Sequence, residues 1–175
     1  LTGGPDLTLT AISTTTSAVA PGGTLPVSTT AKNQGTVSSA GFTIGFSLSP
    51  DPVSGGAGDI PMTAVRNVSS LAAGASSTAS TTLTVPTTAP TGTYYVCGTA
   101  DRNGAVAESS ETNNGLCTTT TLTVAQPDLV LTQLSGPPSS FTGAVVALNS
   151  SVTNQGPTAA SRFYVAFYLS PDAAI

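Results

Sequence analysis

The chain has 175 residues, a formal net charge of −4 and only 7% charged residues. An ordinary globular protein carries roughly a quarter. The four basic residues, Lys32, Arg66, Arg102 and Arg162, form no run, so the electrostatic footprint of a nucleic-acid binder is absent. No stretch approaches the roughly 18 apolar residues of a membrane helix, and there is neither an initiator Met nor a signal peptide. That reads as a processed product or a window cut from a longer chain. Ser and Thr make up about 30% of residues, yet hydrophobic residues reach 39% and alternate regularly. The Thr runs therefore read as the outward faces of strands, which β-branched side chains suit, and not as disordered spacer.

Taken in order, the first predicted strand runs from Asp6 to Ser13, with Leu7 and Leu9 inward. The turn Pro21-Gly22-Gly23 introduces a second strand, Thr24 to Asn33, with Leu25, Val27 and Ala31 on one face. Asn33-Gln34-Gly35 makes the next turn, where Gly35 is expected to supply a positive φ. Phe42 to Asp51 has the clearest alternation, with Phe42, Ile44, Phe46 and Leu48 on one side. Pro50 to Asp59 is too rich in Pro and Gly to continue a ladder. Strands are then expected at Ile60–Asn67, at Ser76–Val85 with Leu83 and Val85 inward, at Thr93–Asp101 and at Leu116–Val124. Helical periodicity is absent. Seven short strands separated by frequent turns predict an all-β, immunoglobulin-like β-sandwich.

The pattern returns. Pro5-Asp6-Leu7 recurs at Pro127-Asp128-Leu129, Asn33-Gln34-Gly35 at Asn154-Gln155-Gly156, and the Phe42 strand at Phe163–Asp172. The offsets are 122, 121 and 121 residues, so the expected tandem period is about 121. Leu1-Thr2 matches Leu122-Thr123. The predicted organisation is thus the tail of a preceding copy at residues 1–4, a complete sandwich at 5–125 and the first three strands of another copy at 126–175. Three strands leave Phe163, Phe167 and Leu169 without cover, so further chain or strands donated by a partner should complete that half-domain.

The alternation also orients the cysteines. With Tyr94 and Val96 facing the core on one strand and Leu116, Leu122 and Val124 on the next, Cys97 and Cys117 face outward on neighbouring antiparallel strands. A disulfide between them would staple one hairpin instead of joining the two sheets. Such a bond fits a secreted chain.

Several of these segments together carry a family resemblance. Pro-Asp-Leu, Pro-Gly-Gly-Thr, Asn-Gln-Gly, Phe-x-Ile-Gly-Phe-x-Leu-Ser-Pro-Asp, Ser70-Leu71-Ala72-Ala73-Gly74, Pro90-Thr91-Gly92-Thr93-Tyr94-Tyr95 and Ala107-Glu108-Ser109-Ser110-Glu111-Thr112-Asn113-Asn114 resemble CARDB, the cell-adhesion-related domain found in bacteria. The resemblance covers one copy end to end and the first three strands of the next. It implies an immunoglobulin-like sandwich, often in tandem, in secreted or surface-attached prokaryotic proteins, and it implies no particular ligand.

Chemistry is sparsely provided for. There is no histidine, which removes Ser-His-Asp and Cys-His arrangements, and no phosphate loop or paired-carboxylate spacing is present. Two cysteines and scattered carboxylates make a poor structural zinc site. No enzyme activity is expected. For calcium the candidates are Asp101, Asn103, Glu108 and Glu111, with Asn113 and Asn114 alongside. The competing reading is that these side chains bond backbone groups within a long loop. A Lys–Asn isopeptide cross-link would need a core lysine, and the single lysine, Lys32, is replaced by Thr153 in the second copy.

Asn67-Val68-Ser69 and Asn149-Ser150-Ser151 are N-glycosylation patterns, and Thr118, Thr119, Thr120 and Thr121 are candidates for O-linked sugar. On the outward face of the second Phe strand, Tyr164 and Tyr168 beside Arg162 replace the small residues of the first, and mark a candidate interface. The expected function is a structural or adhesive element of an extracellular prokaryotic surface fibre, with neighbouring copies of itself as partners and surface glycans as second choice. The alternative is a non-catalytic or glycan-binding module of a secreted hydrolase.

Overall fold

The computed structural model describes residues 3–172, and the expectation for Leu1-Thr2 lies outside them. No helix is present among the described residues, and so none is long and apolar enough to cross a membrane. The chain divides into two compact units, Leu1–Gln126 and Pro127–Ile175.

The first unit contains β1 (Leu7–Ser13), β2 (Ala18–Val19), β3 (Thr24–Asn33), β4 (Phe42–Ser49), β5 (Ile60–Val68), β6 (Ser76–Thr84), β7 (Gly92–Thr99), β8 (Gly115–Cys117) and β9 (Leu122–Val124). One sheet has the order β1-β3-β6, and the other runs β2-β9-β7-β4-β5 with β8 also paired to β7. Every pairing is antiparallel except β2 with β9, which is parallel. Side chains from the two inner faces make one core: Leu7, Leu25, Val27 and Leu83 from the first sheet meet Ile44, Phe46, Leu48, Val96 and Leu122 from the second. This is an immunoglobulin-like sandwich.

Alternation in β3 is unbroken. Leu25, Val27, Thr29, Ala31 and Asn33 are all fully buried, while the residues between them are exposed or half-buried. In β1 the register shifts between Leu9 and Ala11. This bulge explains why Leu7, Leu9 and then Ile12 are buried: one extra residue flips the parity that simple alternation would assign. Glycine admits close approaches that a side chain would block. A Cβ on Gly98 would sit 2.8 Å from Leu9 Cδ1.

Two expectations change in this unit. The segment Leu116–Val124 is not one strand, because β8 and β9 pair with different parts of β7 and Thr118–Thr121 lie between them. Thr118 closes the break. Its backbone N–H donates to Val96 O at 2.9 Å, and its hydroxyl accepts from Val96 N at 3.1 Å. Gly35, expected at positive φ, is absent from the residues in that region. Its role is steric, since a Cβ there would lie 2.3 Å from Gly4 O and 2.6 Å from Asp6 N.

The second unit holds β10 (Leu129–Ser135) and β11 (Asn149–Asn154), an antiparallel pair. Leu129 pairs with Asn154 as Leu7 does with Asn33, and the register shifts between Leu131 and Gln133 as it does between Leu9 and Ala11. The strand expected at Phe163–Asp172 does not form. Its counterpart β4 is held by β5 and β7, and residues 163–172 have no such neighbours among the described residues. The same rule sets the start of β11. Asn149 matches Ser28, the last β3 residue that β1 covers; upstream of it β3 is held by β6 alone. Phe46 is 3% exposed and its counterpart Phe167 is 45% exposed.

Arg66 joins the edge strands of the two sheets. Its guanidinium, on β5, donates to Thr29 O at 2.8 Å and Thr29 Oγ1 at 2.9 Å on β3, and to Ser77 Oγ at 2.6 Å on β6. Burial pushes its pKa below the ordinary arginine value, and no carboxylate faces it among these contacts. Arg66→Ala leaves a buried carbonyl and two hydroxyls without their donor, so a loss of about 1–3 kcal/mol is expected in urea denaturation.

Candidate functional site

The polar loop from Asp101 to Asn114 joins β7 to β8 and packs against the segment that leads into β1. Asp101, one of the buried polar residues, has a φ of 45°. Its carboxylate accepts from Ala105 N at 3.1 Å and from Val106 N at 2.8 Å, which folds the loop back on itself. Glu108 reaches across: one oxygen accepts a short bond from Leu7 N, the other accepts from Asn114 Nδ2 at 2.8 Å. Ser109 N donates to Pro5 O at 2.9 Å, Asn113 Nδ2 to Asp6 Oδ1 at 2.8 Å, and Thr8 Oγ1 to Asn113 O at 3.0 Å. Glu111 accepts from Glu108 N at 2.9 Å.

These bonds engage most of the calcium candidates. Asp101 and Glu108 place both carboxylate oxygens, and Glu111 one, on backbone N–H groups and one amide, and Asn103 donates to Thr43 Oγ1 at 3.3 Å, while Asn113 Oδ1 and Asn114 Oδ1 are buried without a hydrogen-bond partner. Among the described residues no group of three or more His, Cys, Asp or Glu could hold a metal ion. The loop is a clasp on the start of β1.

Asn33 completes that clasp from the other side. Its Oδ1 accepts from Asp6 N and Gly35 N, both at 3.1 Å, and its Nδ2 donates to Val37 O at 2.8 Å and Leu71 O at 3.0 Å. All four capacities of the amide are used. Asn154 repeats the arrangement with Asp128 N, Gly156 N and Thr158 O. The sequence marked Asn33 only as a turn residue; its burial on the same parity as Leu25, Val27 and Ala31 was the signal for a structural role.

Cys97 and Cys117 are directly paired in the β7–β8 register and form a disulfide, with a Cα–Cα distance of 3.9 Å. The bond staples one hairpin, as its strand phase requires. It does not face open solvent, however: Cys97 is fully buried and Cys117 half-buried. Pro52, Val53 and Ser54 of the β4–β5 loop line the same depression as Cys117, and Ser54 Oγ lies 2.8 Å from Thr99 Oγ1.

Of the proposed sugar sites, Asn67, Asn149, Thr119, Thr120 and Thr121 are exposed. Thr118 is not a candidate: it is 3% exposed and its hydroxyl both accepts from Val96 N and donates to Thr120 O at 2.7 Å. Tyr164 and Tyr168 are 82% and 84% exposed, and Arg162 Cζ lies 5.4 Å from the Tyr164 ring centroid. On the corresponding face of β4, by contrast, the Arg102 side chain lies over Gly45, and Asp59 accepts from Ser47 Oγ at 3.3 Å.

The fold and these contacts define a disulfide-stapled immunoglobulin-like sandwich whose polar residues tie its own strands together. The chain belongs to the CARDB family, a cell-adhesion-related domain family, whose model matches residues 4–118. Among solved structures, a CARDB domain from Pyrococcus furiosus in complex with di-metal ions is similar at 20% identity and a TM-score of 0.49, over 70% of this chain and 90% of that one. A domain of a Methanosarcina acetivorans protein described as belonging to the cell surface is similar at 21% identity and a TM-score of 0.48, over 70% and 93%. A β-glucosidase from Erythrobacter marinus is similar at 12% identity and a TM-score of 0.44, over 69% of this chain and 16% of the enzyme. No curated protein matches the chain.

Two outcomes test the clasp and the staple. Replacing both cysteines by Ser opens a link spanning 20 residues and should cost about 3 kcal/mol in denaturant unfolding. Burial pushes the Glu108 carboxyl above its ordinary value; the Leu7 and Asn114 bonds oppose this, and Glu111 and Asp101 add to it. A raised folded pKa favours the protonated form in the fold. Its contribution is therefore full below the ordinary glutamate value and disappears as pH rises through the raised one. The stability difference between wild type and Glu108→Gln should change across that window, measured by urea unfolding at stepped pH. A difference flat with pH would refute the assignment.

Proposed function

We propose that this chain is a structural, adhesive building block of an extracellular prokaryotic surface fibre made of CARDB sandwiches. The observation that carries this reading is the β10–β11 pair, which repeats the register of β1 and β3, the bulge and the Asn tie included. A chain that lays down a second sandwich of the same pattern is building an array, and head-to-tail repetition makes filaments. The exposed Leu129, Leu131 and Leu134 of β10 and the uncovered Phe163, Phe167 and Leu169 fit a domain completed by strands of the β5–β9 pattern, in tandem or from a neighbouring chain. The disulfide supports an oxidising, extracellular setting.

Neighbouring copies are the partners in this reading. Tyr164 and Tyr168, held out beside Arg162, supply large contact area with polar tips for the next domain. The exposed Asn67, Asn149 and Thr119–Thr121 give sites where sugar could cover the surface. The work done is mechanical reach and attachment.

Electron microscopy of the native particle tests this. Continuous fibres with a regular domain repeat are expected, and the double variant Tyr164→Ser, Tyr168→Ser should shorten them. Discrete particles without axial repeat would overturn the proposal.

A further inference from the structure

In a fibre, force enters a domain through its first strand and leaves through its last, and the first unit is arranged for that direction. β1 and β2 advance toward the turn at Ala20–Gly23 that carries the chain from one sheet to the other, where Gly23 N donates to Ala20 O at 2.8 Å. β9 runs parallel to β2, with Ala18 opposite Thr123 and Val19 opposite Val124, and the chain leaves the unit just after it. Tension between the two ends therefore pulls β2 backward and β9 forward along their shared axis. Thr123 N to Ser17 O, at 2.8 Å, and Ala125 N to Val19 O, at 3.1 Å, are then strained together. An antiparallel hairpin pulled from its open end would lose its bonds one after another instead. Val19 and Val124 are both buried, which keeps water from replacing the strained bonds.

The entry side is held as well. Pro5, Asp6 and Leu7 are bonded by Ser109, Asn113 and Glu108, and Asp6 N by Asn33. The three loop residues lie between Cys97 and Cys117, so the disulfide fixes to β7 the loop that grips the entering chain.

We infer that the first unit is a tension-bearing module in which the parallel β2–β9 pair is the clamp and the Cys97–Cys117 ring anchors the grip on the entering strand. This rests on the fibre reading for its purpose, but its mechanics belong to the single chain and are tested there.

The test is single-molecule pulling of the 175-residue chain tethered at its two ends. One dominant rupture is expected. Reduction of the disulfide should lengthen the released chain by roughly 70 Å, the extended span of the ring's 20 residue steps, and should lower the rupture force. Ala125→Pro removes one clamp donor and should lower the force by about half. Val19→Gly keeps the donors and admits water; it should shift the force the same way, and it decides the matter if the proline variant does not fold. Ile44→Ala, in the core on β4 and two strands away from β9, should lower the thermal midpoint more than the rupture force. Forces that follow the order of thermal stability, or that ignore both clamp variants, overturn the inference. Strong single chains that form no fibre would count against the fibre reading alone, and fibres of weakly resisting chains against this one alone.

Discussion

The phase of β3 is the constraint on which the sandwich depends. Its odd-numbered side chains from Leu25 to Asn33 all point into the protein, and they do two jobs in one row. Leu25, Val27 and Ala31 supply core. Thr29 and Asn33 are polar, and each is buried only because a partner reaches it: Arg66 comes from the opposite sheet, and the amide of Asn33 is saturated by four backbone groups. A slip by one residue would expose the first set and leave the second unsatisfied in the interior. Such a register is strongly specified.

Strand formation in the second unit shows the complementary rule. β11 exists where β10 faces it and begins only past the stretch in which the counterpart of β3 would depend on a β6, and Phe163–Ser170 stays unpaired despite the strongest alternation in that half of the chain. Propensity and pattern prepare a strand, but the ladder bonds come from a neighbour. The bulges in β1 and β10 are part of the same logic. They let Ile12 and Leu134 change parity at equivalent points, so the shared register reflects the placement of the extra residue as well as the alternation of apolar side chains.

The polar loop between β7 and β8 holds the entering strand with residue types that a hard cation also takes. Its carboxylates and amides have the oxygen chemistry a hard cation takes; the Asp101 and Glu108 oxygens meet N–H groups of the loop and of the entering strand, while Asn113 Oδ1 and Asn114 Oδ1 are buried without a hydrogen-bond partner. A cation site and a clasp draw on the same residues; the difference lies in where the backbone donors stand. The disulfide closes the ring that contains this clasp, which links the redox chemistry of the chain to the hold on its first strand.

By itself the sequence determined the all-β class, the faces of the strands and the pairing of Cys97 with Cys117, because a period of two is written directly in the order of side chains. Its family motifs were legible for the same reason: they sit at turns and core positions whose residue types are narrowly constrained. Only the tertiary structure decided that Thr118 closes a strand break, that Gly35 admits a neighbouring backbone where a left-handed φ was expected, that Asn33 and Arg66 are buried ties, and that the disulfide lies under a loop. Each of those depends on atoms far apart in the chain, such as Gly4 with Gly35 or Arg66 with Ser77, and local alternation carries no record of which distant backbone will arrive.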